Sequence, residues 1–340
     1  MINSQVKDIS KGAYGFVILA RDRRTHEEFA LKLIERGQKI TRSVEREILN
    51  HKKLEHPHVI SLHGVCRTDD YLILIMEYAS GGSLRKYITT HGKLPKEEAR
   101  RLFQQLLLSV DYCHRMGVSN RDIKPDNILL DKENNVKLCD FGYSKDEDLQ
   151  SMANTRLGTP AYTAPEIFKL ISGQVQQTYD AKAADVWSCG VTLCEMVTGV
   201  LPFKRPEDTQ LKHAVRSDRM MERLLRGDYA FPPDCALSND LADLIQGMLN
   251  IDPKARMTVK EISRHPWFTV GLPQGAFLIN NMLVQESRQA GPSDDEVKAI
   301  RSIVREAQRV VMVSPTRTTM TSKPPQMSCD MESFFSGEYR

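Results

Sequence analysis

Three side chains that suit phosphoryl transfer lie within six residues of one another in the stretch SNRDIKPDNILLD, residues 119–131. Asp122 offers a carboxylate that could orient or deprotonate a hydroxyl, Lys124 offers a positive charge for the transferring phosphoryl group, and Asn127 offers an amide oxygen for a metal ion. The tripeptide DFG that begins at Asp140 adds a carboxylate, a ligand that Mg²⁺ prefers. We therefore predict that Asp122 and Lys124 are catalytic and that Asn127 and Asp140 bind Mg²⁺.

A second candidate site is the glycine-containing stretch DISKGAYGFVILA, residues 8–20. The positions of a phosphate-covering G-x-G-x-x-G-x-V motif are filled here by Ser10, Gly12, Gly15 and Val17. Glycines allow the backbone to close over phosphates because no Cβ is in the way, although two glycines alone are more typical of an ordinary turn. Lys32, in FALK on the next strand, and Glu47, in the following helix, favour a nucleotide site, since Lys32 would reach the α- and β-phosphates and Glu47 could pair with it.

These side chains must be positioned by two regions of different secondary structure. Residues 1–76 contain short β-rich runs, FVILA, EFALKLI and YLILIMEY, around one helical candidate at about 42–54. Further along, the apolar spacing becomes helical, as in ARRLFQQLLLSVDYCHRMG and DVWSCGVTLCEMVTG, and the two glycines of YASGGS, residues 78–83, mark the boundary. The pattern predicts an α+β fold with a β-rich lobe over 1–76, a hinge over 77–82 and a larger, mainly helical lobe over 83–270.

The composition restricts the classes of function. At 340 residues, with 41% hydrophobic and 27% charged residues, the chain has the balance of a globular protein, and its net charge of +3 is too small to favour nucleic-acid binding. No apolar run approaches the length of a membrane span, and the N-terminal MINSQVKDIS lacks a signal core. Seven cysteines without a C-x-x-C pair indicate free thiols in a reducing compartment. We expect a monomer in the cytoplasm, the nucleus or both, with no nucleic-acid or membrane partner.

The order of these motifs resembles that of a eukaryotic protein kinase over residues 6–268. Lys124 with GTPAY, residues 158–162, is similar to the serine/threonine branch, and APE, residues 164–166, closes the segment that a substrate would contact. IERGQKI, MEYASGG, DFGYSK, GTPAYTAPE and ADVWSCGVTL resemble the plant and algal sucrose-non-fermenting-related kinases of the second subfamily, an osmotic- and nutrient-stress group. The resemblance implies a two-lobed protein kinase fold over residues 1–270. It also implies transfer of the ATP γ-phosphoryl to serine or threonine of protein substrates, with ATP and Mg²⁺ as cofactors, in stress or nutrient signalling.

The resemblance further implies which residues form the ATP pocket. They are Ile9, Ser10, Lys11, Gly12, Ala13, Tyr14, Gly15, Phe16, Val17, Ala30, Lys32, Met76, Glu77, Ala79 and Leu129. Ala30, Met76 as the gatekeeper and Leu129 would enclose the adenine, and the backbone of Glu77 and Ala79 would bind it. Apolar residues of this kind are also typical of core packing, and the two roles are compatible.

Two positions depart from the kinase pattern. Ser10 replaces the first glycine of the nucleotide loop, from which we expect a change in nucleotide affinity rather than its loss. Asn120 stands where the family has a histidine that packs beside the Phe of DFG, here Phe141, and hydrogen-bonds the backbone near it. Asn is smaller but keeps donors and an acceptor, so we expect a loosened active arrangement and a gain of activity on Asn120→His, unless the neighbouring residues have adapted to Asn. An active kinase is the main interpretation, and a nucleotide-binding pseudokinase that acts as a scaffold is the alternative.

Substrate choice is indicated by two residues near the active site. Ser83 follows the two hinge glycines, where kinases that prefer a basic residue ahead of the phosphorylated one commonly have Glu. Asp126 still offers one carboxylate near the catalytic loop, so a preference for an upstream arginine is only a weak expectation.

Regulation is indicated by the residue before the catalytic aspartate. Arg121 is typical of an arginine that pairs with a phosphate on the activation segment and orders it. We predict that the phosphorylated residue is Thr155, with Ser151 as the other candidate, and that an upstream kinase or phosphatase acts there.

Residues 271–340 form a C-terminal extension with one predicted helix, near 293–311. It begins with an S-x-x-E capping box at Ser293. One face of this helix is apolar and contains Val297, Ile300, Val304 and Ala307. The face resembles the subfamily's regulatory helix, which docks on the small lobe near the Glu47 helix, and a free amphipathic helix that binds another protein is the alternative. The Ser/Thr/Pro/Lys-rich stretch near 314–328 predicts a disordered end.

Overall fold

We describe a computed structural model of the chain over residues 2–12, 15–141, 160–171, 179–233 and 235–309. The described residues divide into a smaller unit, within 1–55, 60–78 and 287–340, and a larger unit, within 56–59 and 79–286. Within these ranges the helices are all too short or too polar to cross a bilayer.

The strands and helices are numbered in chain order. The strands are β1 (Ile2–Gly12), β2 (Gly15–Asp22), β3 (Glu28–Glu35), β4 (Leu62–Arg67), β5 (Tyr71–Glu77), β6 (Gly82–Ser83), β7 (Ile128–Leu130) and β8 (Val136–Leu138). The helices are α1 (Arg42–His51), α2 (Leu84–His91), α3 (Lys96–Arg115), α4 (Pro165–Ile171), α5 (Ala181–Thr198), α6 (His213–Arg226), α7 (Asn239–Met248), α8 (Val259–Ile262), α9 (Pro266–Thr269), α10 (Ala276–Gln289) and α11 (Asp294–Gln308). A β-rich region followed by a helical one confirms the predicted α+β class.

The smaller unit is built on an antiparallel sheet with the strand order β1-β2-β3-β5-β4. Successive side chains of a strand point to opposite faces, and both faces of β5 are apolar. Leu72 and Leu74 join a core with α1 and α11, whereas Ile73 and Ile75 join a second core with β2 and β3. A slip of one residue would exchange these two sets, so burial on both faces fixes the register that places Lys32 opposite Leu74.

Helix α5 lies at the centre of the larger unit. Every residue from Ala184 to Thr198 is buried, as expected of a helix that is surrounded by protein on all sides. Trp187 stacks on Phe203 with the ring centroids 5.7 Å apart. Gly190 permits close packing, because a Cβ there would lie only 2.9 Å from Met248 Cβ on α7.

The C-terminal extension contains two helices, α10 and α11, where the sequence predicts one. Helix α11 agrees with the helix predicted near 293–311, and its N-cap Ser293 accepts a hydrogen bond from Glu296 N at 3.1 Å. Its buried residues, which pack with α1, β4 and β5, are Ile300, Val304 and Ala307. This is the position that the resemblance implied for a regulatory helix. Arg36 Nη2 and Gly37 N donate to the last carbonyls of α11, at 2.8 and 2.9 Å, and so satisfy its C-terminal end.

Helix α10, which the sequence pattern does not predict, is attached to α3 through one buried amide. Asn280 Nδ2 donates to Leu108 O and to Asp111 Oδ2, both at 2.9 Å. Its Oδ1 accepts from His56 Nε2 at 3.0 Å. Asn280 is 1% exposed, whereas Leu278 on the same helix is 66% exposed. The buried face of α10 mixes the apolar Ala276 and Val284 with the polar Asn280 and Ser287, while Leu278, Ile279 and Met282 are exposed, so the apolar periodicity that would predict this helix is weak.

Candidate active site

The loop between α3 and β7 holds the predicted catalytic aspartate in a fixed orientation. Lys124 Nζ lies 2.9 Å from Asp122 Oδ1 and 2.7 Å from Oδ2. Asn127 Nδ2 donates to Asp122 Oδ2 at 2.7 Å and to the Asp122 carbonyl at 2.9 Å. The structure thus brings together the three residues that the sequence places within six positions, and two of them orient the carboxylate of the third.

The environment of Asp122 suits a group that accepts a proton. Burial raises the pKa of Asp122 above its ordinary value, and the neighbouring Lys124 ammonium opposes that shift. Asp140 is a smaller cause in the same direction as burial, since a second carboxylate disfavours a negative charge. A carboxylate with a raised pKa is a stronger base toward a hydroxyl than an exposed one.

Two residues of the site have backbone angles that side chains rarely adopt. Arg121 has φ +66° and Asp140 has φ +60°, both in the left-handed region. Asp185, which is fully buried on α5, accepts from Asn120 N at 3.0 Å and from Arg121 N at 2.7 Å. His114 Nε2 lies 2.8 Å from the same carboxylate. These hydrogen bonds stabilise the left-handed backbone at Arg121, which is unfavourable for a residue with a side chain.

Asn120 links the catalytic loop to the residues before Phe141. Its Nδ2 donates to Asp140 O at 2.9 Å and to Cys139 O at 3.3 Å, and its Oδ1 accepts from Asp122 N at 3.2 Å. Both Asn120 and Phe141 are buried. The structure differs here from the expected loosening, because the small amide makes hydrogen bonds to both loops.

The donor set that Asn127 and Asp140 provide fits Mg²⁺. Both amide hydrogens of Asn127 are directed to Asp122, so its Oδ1 faces away from that carboxylate. Cys139 N donates to Asn127 O at 3.0 Å, which places Asp140 next to Asn127. One amide oxygen and one carboxylate are hard ligands, and in a nucleotide site phosphate oxygens complete the coordination of Mg²⁺. Gly142, the last residue of DFG, lies outside the described residues.

The smaller unit positions the predicted phosphate-binding lysine. Lys32 Nζ on β3 forms an ion pair with Glu47 Oε1 on α1 at 2.7 Å, and both side chains are largely buried. Lys32 lies opposite Val17 of β2 in the sheet register. The pairing that the sequence suggested for these two residues is therefore present, and their role toward phosphates stays a prediction.

Comparison with known proteins identifies the family. Residues 4–268 match the family model of the protein kinase domain. The chain belongs to the protein kinases. It is 41% identical to serine/threonine-protein kinase SRK2C of Arabidopsis thaliana, over 91% of this chain and 86% of the relative. It is 37% identical to serine/threonine-protein kinase SAPK3 of Oryza sativa subsp. indica, over 96% of this chain and 92% of the relative. These similarities confirm the predicted resemblance to the second sucrose-non-fermenting-related subfamily and its serine/threonine type.

The glycine-containing stretch of the kinase lies on β1 and β2, which pair antiparallel. Gly12 lies opposite Gly15, and the exposed Ser10 lies opposite Val17 after a register shift. At Gly15 a Cβ would come within 1.9 Å of Leu33 O on β3. The closeness of β3 therefore requires glycine at this position, whether or not a nucleotide binds here. Ile9 and Lys11 belong to β1, whereas Ala13 and Tyr14 lie outside the described residues.

The ring of Phe16, one of the predicted ATP contacts, packs in the sheet, and its contact with a nucleotide stays a prediction. Phe16 packs edge-on against Tyr71, with the ring centroids 5.4 Å apart, beside the core that contains Ile18. Alternation along β2 places Val17 on the opposite face. The phenyl ring of Phe16 thus belongs to the sheet core, and Val17 is the residue of this pair that faces the side of Lys32.

The residues predicted around the adenine lie on both units. In the smaller unit Ala30 is buried opposite Met76 in the β3–β5 pair, and Glu77 N donates to Ser61 O at 3.0 Å. In the larger unit Ala79 is buried, and Leu129 lies on β7 in the three-stranded sheet β6-β7-β8. Their contact with a nucleotide stays a prediction.

The predicted regulatory residues are only partly described. The Arg121 guanidinium carbon lies 5.3 Å from the ring centroid of Tyr179. Ser151 and Thr155 lie outside the described residues, so their relation to Arg121 stays a prediction.

Two arginines that sequence reasoning missed form ion pairs around the substrate segment. Arg256 binds both carboxylate oxygens of Glu166, the last residue of APE, at 2.7 and 2.9 Å. Arg85 on α2 contacts Glu195 on α5 and Asp126 of the catalytic loop. The partners Glu166 and Glu195 are 90 and 110 positions away from their arginines, and no local pattern connects them.

Proposed function

We propose that this kinase transfers the γ-phosphoryl group of ATP to serine or threonine hydroxyls of protein substrates. The observation that carries the proposal is the half-buried carboxylate of Asp122, to which Lys124 and Asn127 donate hydrogen bonds of 2.7–2.9 Å. A carboxylate that is fixed in this way can orient a hydroxyl and accept its proton.

The roles of the other residues follow from their charges and positions. Lys124 balances the negative charge that develops near Asp122 during transfer. Lys32, which Glu47 holds at 2.7 Å, would bind the phosphates of ATP. Asn127 and Asp140 would hold Mg²⁺, which when bound neutralises charge on the phosphates. Transfer then depends on positioning rather than on a covalent intermediate with the protein.

The described residues do not favour a pseudokinase scaffold. A scaffold that had lost catalysis would not need Asp122 to be oriented by two side chains or its pKa to be raised by burial. Asn120 replaces a histidine, but it retains the hydrogen bond to the backbone at Asp140. The relatives that cover most of the chain are named as serine/threonine-protein kinases.

The test of the proposed function is a phosphotransfer assay with the wild type beside Asp122→Asn. The substitution keeps the shape of the side chain and removes its negative charge, so we expect activity to fall about a hundredfold or more. Glu133→Gln is the matched control, because it neutralises an exposed carboxylate in the turn between β7 and β8, outside the catalytic loop, and should leave activity unchanged. Equal activity of the wild type and Asp122→Asn would refute the role of Asp122.

We also propose, from the resemblance, that phosphorylation of Thr155 or Ser151 activates the kinase through Arg121. An upstream kinase or phosphatase would act there, in stress or nutrient signalling in the cytoplasm or nucleus. Thr155→Ala should lower the activity of protein isolated from stressed cells. Equal activity, with mass spectrometry showing the wild-type residue phosphorylated, would contradict this proposal.

A further inference from the structure

Arg85, near the N-terminal end of α2, contacts three side chains beside the catalytic loop. Its Nη1 donates to Glu195 on α5, and its Nη2 donates to the hydroxyl of Tyr162. Its Nε donates to Asp126 Oδ2 at 3.2 Å. The hydroxyl of Tyr162 in turn donates to the other oxygen of Glu195. The guanidinium therefore connects α2, α5, the catalytic loop and the 160–162 segment.

The contacts of Arg85 lie close to the catalytic aspartate. Asp126 is followed directly by Asn127, whose amide binds Asp122 at 2.7 Å. The backbone N of Arg85 donates to Pro125 O, in the same loop, at 2.9 Å. Tyr162 lies two residues before APE, the motif that closes the segment a substrate would contact. A peptide whose hydroxyl reaches Asp122 must therefore place neighbouring residues near this cluster.

Two carboxylates of this cluster could bind a basic side chain of a substrate, but Arg85 of the kinase already pairs with both of them. Glu195 and Asp126 provide two carboxylates, with side chains 7% and 46% exposed. Without Arg85 they would attract a guanidinium or ammonium group, because charge-assisted hydrogen bonds to carboxylates are the strongest that an incoming cation can make. Burial disfavours the charge on Arg85, yet its contacts with Glu195 and Tyr162 raise its pKa overall, so Arg85 stays charged.

We propose that Arg85 determines the charge preference for substrates, because its guanidinium occupies the two carboxylates that would otherwise bind a basic residue of the substrate. The kinase then accepts serine and threonine sites without a nearby arginine or lysine. Ser83, which provides no carboxylate after the hinge glycines, agrees with this preference. The inference rests on the proposed kinase function and names its substrate class.

The test compares serine peptides that carry Arg or Ala at each of the five positions before the serine. For the wild type we expect kcat/KM with Arg to lie within about twofold of kcat/KM with Ala. In Arg85→Leu the released carboxylates should raise the Arg/Ala ratio about fivefold, mainly through KM, as expected for one partly exposed ion pair. Lys86→Leu is the matched control, because it removes the next, exposed cation of α2 and should leave the ratio unchanged.

Arg85→Leu leaves the buried Glu195 without its cation and could therefore prevent folding. A second set of variants tests the same inference with less risk to the fold. Arg85→Gln removes the charge but keeps hydrogen-bonding atoms, and it should raise the ratio in the same direction. Adding Asp126→Asn to either variant should lower the gain, because only Glu195 then remains to attract the substrate cation. The same Arg/Ala ratio is also measured as peptide dissociation constants, which need no turnover.

Two results would overturn the inference. One is a wild-type preference for Arg above about fivefold, and the other is an unchanged ratio in a folded Arg85→Gln variant. A wild type that binds peptides but never phosphorylates them would contradict the proposed function instead, while the ratio of dissociation constants would still decide the role of Arg85.

Discussion

Replacement of Asn120 by histidine, the residue that most kinases have, is expected to impair this kinase rather than to activate it. The amide of Asn120 donates to Asp140 O at 2.9 Å and accepts from Asp122 N at 3.2 Å. Beyond Cβ, the Cγ atom of asparagine carries an acceptor, Oδ1, and a donor, Nδ2. The Cγ atom of histidine carries the nitrogen Nδ1 and the carbon Cδ2, which forms no such hydrogen bond. The second ring nitrogen, Nε2, is one bond farther from Cγ than the amide atoms are, so an imidazole in this place keeps only one of these two hydrogen bonds.

The magnitude of this effect follows from burial, since Asn120 is 1% exposed. Leaving one buried backbone group without its partner costs about 1–2 kcal/mol. The larger ring adds about 1–3 kcal/mol of overpacking in a site that is already filled. The free energy of unfolding should thus fall by about 2–5 kcal/mol. If about 1.4 kcal/mol of this loss also misplaces Asp122 or Asp140 in the transition state, kcat falls tenfold.

Urea unfolding and steady-state kinetics on the same preparations test this expectation. Asn120→Ala is the useful companion, because it removes both hydrogen bonds without adding volume and so separates the bonding effect from overpacking. A kcat of Asn120→His above that of the wild type, with an unchanged unfolding midpoint, would show that the amide only weakens a packing site for histidine and would refute this reasoning.

Three further predictions concern other parts of the chain. Lys32→Met should abolish phosphotransfer and leave the melting temperature within a few degrees, because the lost charge acts on phosphates and a strand tolerates Met; retained turnover would contradict the role of Lys32. Burial lowers the pKa of His56 to about 4, so the folded protein binds fewer protons than the unfolded one below pH 6.5. His56 alone should therefore lower the free energy of unfolding by about 1.4 kcal/mol between pH 7.5 and 5.5, and His56→Gln should remove this part of the pH dependence in urea titrations; an identical slope in both proteins would argue against it. Val304→Ala, which opens a cavity beneath α11, should lower the free energy of unfolding by about 1–3 kcal/mol, and Val297→Ala should lower it less because Val297 is only half-buried; equal losses would mean that the burial of Val304 does not hold α11 in place.

The parts of the site that the sequence predicts well are those whose residues are close along the chain. Asp122, Lys124 and Asn127 are separated by at most five positions, so the loop itself determines their contacts. Lys32 and Glu47 lie on adjacent elements, β3 and α1, and an ion pair between them needs only the correct register. Helix α11 is predicted for a similar reason, because its cap and its apolar face are both local features.

Local sequence patterns do not predict contacts in which a polar residue is buried against partners that are distant along the chain. In α10 the most buried side chain is Asn280, and its partners are on α3 and at His56. Exposed Leu278 and Met282 make the apolar pattern misleading, since they point to solvent. Hydrophobic periodicity assumes that contact faces are apolar, and a buried amide with all its hydrogen bonds satisfied breaks that assumption.

Charge patterns in a sequence fail for a related reason. Asp126 stands in the sequence as a carboxylate near the catalytic loop, which gives a weak expectation of a preference for an upstream arginine in the substrate. Whether that carboxylate is available depends on Arg85, which also binds Glu195, 110 positions further along the chain. On the proposed role of Arg85, a single intramolecular cation removes the substrate preference that a list of acidic residues suggests. The specificity of a kinase is therefore determined by which charges of its cleft remain after its own ion pairs have formed, and only the folded chain shows which ones those are.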